Sequence, residues 1–380
     1  MRDLHLDKLA DVIVHYSTGV KAGQLVRISG PPIATPLIEA IYERVIVAGA
    51  HPQVRMAPES LQDIFYEHAS EEQLKYVSPL VMEEIKTIDA TIGLWAETNT
   101  KSLSRIDPAR QSLASAARRP VMEIFMNRAA AGELKWCGTL YPTEASAQDA
   151  EMSLRQYEQF VFEAGHLDKP DPVAEWRAIE QAQQVVADYL KDKKELRFQA
   201  ANGTDLAVNV EGMTWINCAG RENFPDGEVF TGPNLQAADG GVNGVVRYTF
   251  PAVHHGQEVH DIELTFDKGR VVKATASKGQ AFLEQMLDQD EGARSLGEIA
   301  IGTNYNITQY TKNTLFDEKI GGTFHAAVGA GYPETGNRNS SGLHWDMVCD
   351  LRADAGGGTI SADGEVFHRD GRFLIEGCDL

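Results

Sequence analysis

Leu343-His344-Trp345-Asp346-Met347-Val348-Cys349-Asp350-Leu351 decides how the second half of this chain is read. At period two, Leu343, Trp345, Met347, Cys349 and Leu351 make one apolar face, and His344, Asp346, Val348 and Asp350 make the other. Such alternation predicts a strand packed on a core through one face. The outer face carries an imidazole two residues from a carboxylate, where a solvated strand would carry Thr, Lys or Ser. Side chains at i and i+2 share a face about 7 Å apart, so both can lean onto one ion. A lone His-x-Asp says little, so the remaining ligands must come from elsewhere in the chain.

Outward from that strand, residues beyond about 195 keep the same strand-rich character. Leu196–Gln199 and Leu206–Val210 flank Asn202-Gly203, a strong hairpin signal, and Ile262–Phe266 and Val271–Thr275 flank Asp267-Lys268-Gly269 in the same way. One helix, near Gln280–Leu287, interrupts them. The first half reads differently. A helix over residues 4–18 stops at Gly19, Gln24–Ser29 alternates as a strand, and Pro36–Ala48 is a helix closed by Gly49. Gln53–Met56 completes a βαβ unit. Ser70 with Gln73 forms a capping box, and Asp89–Trp95 is a buried strand. Asp107-Pro108 opens a helix, with a further strand or helix near Val121–Met126 and two long helices at about 145–164 and 172–191. The expectation is α/β with a mostly parallel sheet for residues 1–195, and a largely antiparallel α+β domain for residues 196–380.

A chain of 380 residues suits two domains. With 43% hydrophobic and 24% charged residues it has the composition of a globular protein, and its net charge of −20 argues against a nucleic-acid partner. No apolar run reaches the roughly 18–20 residues of a membrane span, so no membrane partner is expected. The segment from Met1 and Arg2 onward is amphipathic and contains acids, unlike a signal core. Cys137, Cys218, Cys349 and Cys378 are scattered, without CxxC pairing, and a cytoplasmic setting follows.

Several motifs are excluded. HExxH, GxSxG and GxxxxGK[ST] do not occur, and Gly329-Ala330-Gly331 is turn chemistry. His254–Asp261 holds three histidines and two acids, Glu258 and Asp261, but reads as a polar connection. The better cluster surrounds the opening strand. His325 is the one polar side chain of Phe324–Val328, Glu298 lies among aliphatics in Leu296–Ile301, and Glu228 lies between apolar neighbours in Phe224–Phe230. Asp317 and Glu318 add two more acids. Buried carboxylates without partners are costly, and these ask for positive charge that a pair of divalent cations would supply.

The run from Phe224 to Pro233, Leu296-Gly297-Glu298, the run from Leu315 to His325, Tyr332-Pro333 and His344-Trp345-Asp346 together resemble the aminopeptidase T / aminopeptidase S family of metallo-exopeptidases. The resemblance implies two divalent metal ions per chain (Zn, Co or Mn), with Glu228, Glu298, His325, Tyr332, His344 and Asp346 as ligands and Glu298 as a candidate bridge. Glu318 would lie close to the metals, is counted among the metal-site residues with them, and is the candidate for proton transfer. Short peptides would be the substrates, cleaved at the N-terminal residue, and the family likeness suggests a homodimer. The chain is also similar, more distantly, to 2,5-dihydroxypyridine dioxygenases. In that second reading His325, His344 and Asp346 would hold a single iron(II). A third reading is a binding protein that keeps an inherited metal site.

Overall fold

The computed structural model describes residues 3–254 and 256–380. Met1 and Arg2 of the opening segment, and His255 of the histidine-rich connection, lie outside the described residues. The fold is mixed α/β, with two compact units. The first holds the chain up to Val173 together with Gly220–Pro225; the second holds Ala174–Ala219 and Asp226–Leu380.

In the first unit five strands lie in the order His51–Met56, Leu25–Gly30, Ala90–Trp95, Lys135–Leu140 and Asn223–Phe224, every pairing parallel. Val26, Ile28, Ile92 and Leu94 are buried along one face of the central strands, while Arg27 and Ser29 on the other face are half-buried. The local signals hold where a side chain enforces them. Ser70 and Gln73 make the capping box of Glu71–Lys75, and Asp107 Oδ1 accepts from Ala109 N at 2.9 Å to start Pro108–Ala117. The 4–18 segment is α-helical over Leu4–Asp11 and then widens into a π-helix over Val12–Ser17. Val121–Met126 falls within a helix, Arg119–Ala130. The long helix expected at 145–164 is two, Glu144–Asp149 and Leu154–Ala164, because Ser153 and Gln156 cap a new start. Lys135–Leu140, which the sequence reading passes over, is a strand.

The second unit contains an eight-stranded and a five-stranded antiparallel sheet. Both expected hairpins form, Glu195–Ala200 with Asp205–Asn209 and Glu263–Asp267 with Arg270–Thr275. The two sheets share one apolar core, in which the rings of Phe198 and Phe324 lie 4.5 Å apart. Val186, Ala187 and Leu190 at the end of helix Pro172–Leu190 join it. The five-stranded sheet runs His344–Asp350, Thr323–Gly329, Leu296–Gly302, Glu228–Thr231, Ile216–Cys218. Leu343, Trp345, Met347, Cys349 and Leu351 all enter the core, so the period-two reading of the opening stretch holds. Asp350, on the outer face, pairs with Arg352 at 2.7 Å. At the polar connection, Ala252–His254 pairs antiparallel with Gln257–Val259 as a two-stranded ribbon. Among the described residues no helix is long and apolar enough to cross a membrane.

Candidate metal centre

Four neighbouring strands of the five-stranded sheet supply the site. Along Thr323–Gly329, Phe324, Ala326 and Val328 face the core, which turns His325 to the opposite face. Alternation turns His344 and Asp346 the same way on the adjoining strand, whose Asp346 lies opposite Ala327 in the register. Glu298 lies at a register shift between Leu296–Gly302 and Thr323–Gly329, and Ala327 is its partner too. Glu228 opens the next strand, opposite Gly302. The turn before it needs Gly227, whose φ is +126°; a Cβ there would come 2.7 Å from that of Asn304.

These residues converge. His325 Nε2 lies 3.3 Å from Glu298 Oε1, 3.5 Å from Glu228 Oε2 and 3.9 Å from Asp346 Oδ1. His344 Nε2 lies 3.3 Å from Glu298 Oε2 and 3.4 Å from Asp346 Oδ1. Glu228, Glu298 and His325 have ligand atoms within 4.8 Å of one another, and so do Glu298, His344 and Asp346, and also Glu318, His325 and Asp346. Glu298 thus belongs to two groups at once, one through each carboxylate oxygen. Tyr332 reaches the edge of the site, its ring edge-on to Phe230 at 5.4 Å and to His344 at 5.1 Å.

The imidazoles are held in one orientation. His325 Nδ1 is 2.9 Å from the Glu318 carbonyl oxygen, and His344 Nδ1 is 2.8 Å from that of Ala330. Donation from Nδ1 leaves Nε2 facing the carboxylates, the arrangement that metal-binding histidines use. The backbone of Glu228 is fixed in turn by Gln183, fully buried, which donates from Nε2 to the carbonyl oxygens of Cys218 and Glu228 and accepts from Thr303 at 2.8 Å.

Electrostatics follow from crowding. Burial pushes the Glu228 carboxyl up to about 8, against the pull of Lys319. Burial also opposes ionisation of Asp346, yet His344 beside it holds it well below the usual carboxylate range. Glu298 is likewise lowered, its hydrogen bonds to His325 and His344 outweighing burial. Against burial, Glu298 and its neighbours raise His325 to about 10, and Asp346 and Glu298 raise His344 to about 12. Burial and the surrounding acids drive the Tyr332 hydroxyl far above its ordinary value. The cluster therefore demands cations, and in the metal-free protein protons on the two imidazoles meet part of that demand.

Whether divalent ions suit these residues can be tested on the side chains themselves. Glu228 Oε2 is buried and makes no hydrogen bond among the described residues, so it is left facing inward with a lone pair to give. Five carboxylates, Asp226, Glu228, Glu298, Glu318 and Asp346, stand against one buried ammonium, Lys319. With neutral imidazoles that leaves four negative charges, which two divalent cations balance. Oxygen and imidazole donors of this kind suit Zn, Mn or Co. The residues fit.

Sequence reading missed Lys319, Asp226 and Gln183. Lys319 directly follows Asp317 and Glu318, a charged triplet that carries no sign of burial, although Phe316 and Ile320 on either side of it are fully buried. None of the described residues of the histidine-rich stretch belongs to these ligand groups. The His254 ring lies tilted against Trp345, with ring centroids 5.2 Å apart, and His260 pairs with Glu258 at 3.2 Å.

A buried face of carboxylates and oriented imidazoles on an antiparallel sheet defines a candidate metalloenzyme centre. Residues 2–373 match the Peptidase_M29 family, described as thermophilic metalloprotease (M29), and the chain belongs to this family, which includes aminopeptidases T and S. It is 30% identical over 352 residues to aminopeptidase 2 of Geobacillus stearothermophilus, covering 86% of this chain and 84% of that protein. It is 27% identical to aminopeptidase T of Thermus thermophilus, covering 89% of this chain and 87% of the relative. The solved structure of wild-type AmpT from Thermus thermophilus superposes with a TM-score of 0.85 at 25% identity, over 98% of this chain and 99% of the other. The 2,5-dihydroxypyridine dioxygenase of Pseudomonas putida KT2440 gives a TM-score of 0.60 at 11% identity over 99% of this chain and 98% of its own, a likeness of fold alone.

Proposed function

We propose that this chain is a metal-dependent aminopeptidase that removes N-terminal residues from short peptides by means of two divalent ions. The observation that carries this reading is Glu298, whose two oxygens each lie 3.3 Å from a different imidazole Nε2. One carboxylate presented to two ligand groups is the arrangement a bridged pair of ions requires. Glu228 and His325 would complete one side, His344 and Asp346 the other, with Tyr332 at the rim. When bound, the ions would supply Lewis acidity for the scissile carbonyl and lower the pKa of a water.

Glu318 has the task of moving the proton. Its Oε1 is engaged by Lys319, so Oε2 is the oxygen left to take a proton from the attacking water and pass it to the leaving amine. His325 and Asp346 share its ligand group, so it stands at the ions' side without needing to bind them. A single-iron oxygenase would use His325, His344 and Asp346 and would leave Glu228 and Glu298 unemployed; the approach of Glu228 to His325, and of Glu298 to both imidazoles, supports the hydrolase. We further place the catalytic domain at residues 196–380 without Gly220–Pro225 and with the helix that ends at Leu190 added to it, the rest of residues 1–195 forming the α/β domain, in a cytoplasmic homodimer. Elemental analysis of protein purified without chelator should give two divalent ions per chain, and a panel of short peptides should lose N-terminal residues. One iron per chain with oxygen uptake on an aromatic diol would overturn the reading.

A further inference from the structure

Lys319 is fully buried inside a cluster that otherwise collects anions. Its ammonium contacts Glu318 Oε1 and lies 3.8 Å from Glu228 Oε1, with Asp226 also in its field. Its backbone is anchored on both sides, the amide donating to Phe316 O and the carbonyl accepting from Asn304 N at 3.0 Å. The same Asn304 donates from Nδ2 to Asp226 O, so the lysine and the turn before Glu228 are held by one residue.

The ammonium donates to one oxygen of Glu318 and faces one oxygen of Glu228 at ion-pair distance. Glu228 is left with Oε2, the atom 3.5 Å from His325 Nε2, and Glu318 is left with its Oε2. We propose that Lys319 is a positioning residue that acts as a tethered third cation, competing with the divalent ions for Glu228 and Glu318. It thereby limits Glu228 to one oxygen for the ions and keeps Glu318 out of coordination and free for proton transfer. This rests on the two-ion reading above. Like charges drawing on the same carboxylates disfavour one another, and such coupling is reciprocal: if the ammonium weakens metal binding, removing it must strengthen metal binding.

Lys319→Met keeps the length of the side chain and removes its charge. The test uses full-length protein loaded with Co2+, its release to excess EDTA followed by visible absorbance, with binding titrated in parallel. The variant should hold Co2+ about tenfold more tightly than wild type and release it correspondingly slowly. Its kcat on a short peptide should fall about tenfold or more while KM stays within about threefold, because Glu318 is no longer held. Unchanged or faster Co2+ release would overturn the proposal, and so would tighter binding with unchanged kcat. A Lys319→Met chain that fails to fold even when grown and purified with Co2+ would also overturn it, since the lysine would then be a brace that the ions cannot replace. Wild-type protein that binds no Co2+ in the same titration would defeat the two-ion reading itself, a result visible before any variant is compared.

Discussion

His325 Nδ1 lies 2.9 Å from the carbonyl oxygen of Glu318, so the backbone of the proposed proton carrier orients one of the proposed metal ligands. The contact is made through the main chain, and a change of the Glu318 side chain leaves it in place. Glu318→Gln should therefore retain both ions while kcat falls about a hundredfold or more. Elemental analysis beside steady-state kinetics checks this. Loss of an ion in the variant would make Glu318 a ligand instead.

Glu298 gives the opposite expectation. Both its oxygens are engaged, and the carboxyl is 4% exposed, so no water can replace it cheaply. Glu298→Gln replaces one oxygen by an amide that donates where an ion would need a lone pair. At least one ion per chain should be lost, with activity falling to background. Retention of both ions would show that Glu298 is no ligand.

Chelation of the wild-type protein should expose the same charge problem as a loss of stability. The charges that the ions balance would remain in the buried cluster, relieved in part by protonation of His325 and His344 and by a proton on Glu228, whose carboxyl burial pushes up to about 8. Removing ions that bind the folded state should lower Tm by roughly 5–10 °C, recovered on adding Co2+ back. A Tm that ignores EDTA, with the metal shown to be gone, would mean that the centre contributes nothing to folding.

The fold was legible wherever one side chain settles a local choice. Asp107, Ser70 with Gln73, and the Asn202-Gly203 turn all act within a few residues, so their readings survive folding. The strand Lys135–Leu140 was not, because its Gly138 breaks the pattern of large β-formers and its burial comes from parallel neighbours. The resemblance named Glu228, Glu298, His325, Tyr332, His344 and Asp346, and the sheet register brings five of them into two ligand groups, with Tyr332 beside His344. Lys319 escaped notice since a lysine next to Glu318 reads as an ordinary surface pair until burial is known. Gln183 was illegible for a different reason: it acts over 45 residues of chain through the Glu228 carbonyl.

Core packing beneath the site should matter independently of the metals. Phe324 is fully buried against Phe198 and precedes His325 on the strand. Phe324→Ala should cost about 3–5 kcal/mol of unfolding free energy by leaving a cavity. Denaturant titration of metal-free and metal-loaded variant should show that loss in both.

His368 offers a pH test away from the metal centre. Its ring lies edge-on to Phe373 with centroids 5.0 Å apart, and neither nitrogen has a hydrogen-bond partner among the described residues. Burial, helped by the Arg372 guanidinium, pushes its pKa down from 6.5 to about 4. The unfolded chain therefore binds the extra proton between those values, and stability falls as pH drops from about 6.5, the loss being complete below about 4. The full effect is on the order of 3 kcal/mol. His368→Leu keeps an apolar side chain of similar size and removes the titration. Its Tm should fall less than that of wild type between pH 7 and pH 4.5, with both proteins metal-free so that the centre contributes equally. Parallel pH profiles for the two proteins would mean that His368 is not buried neutral.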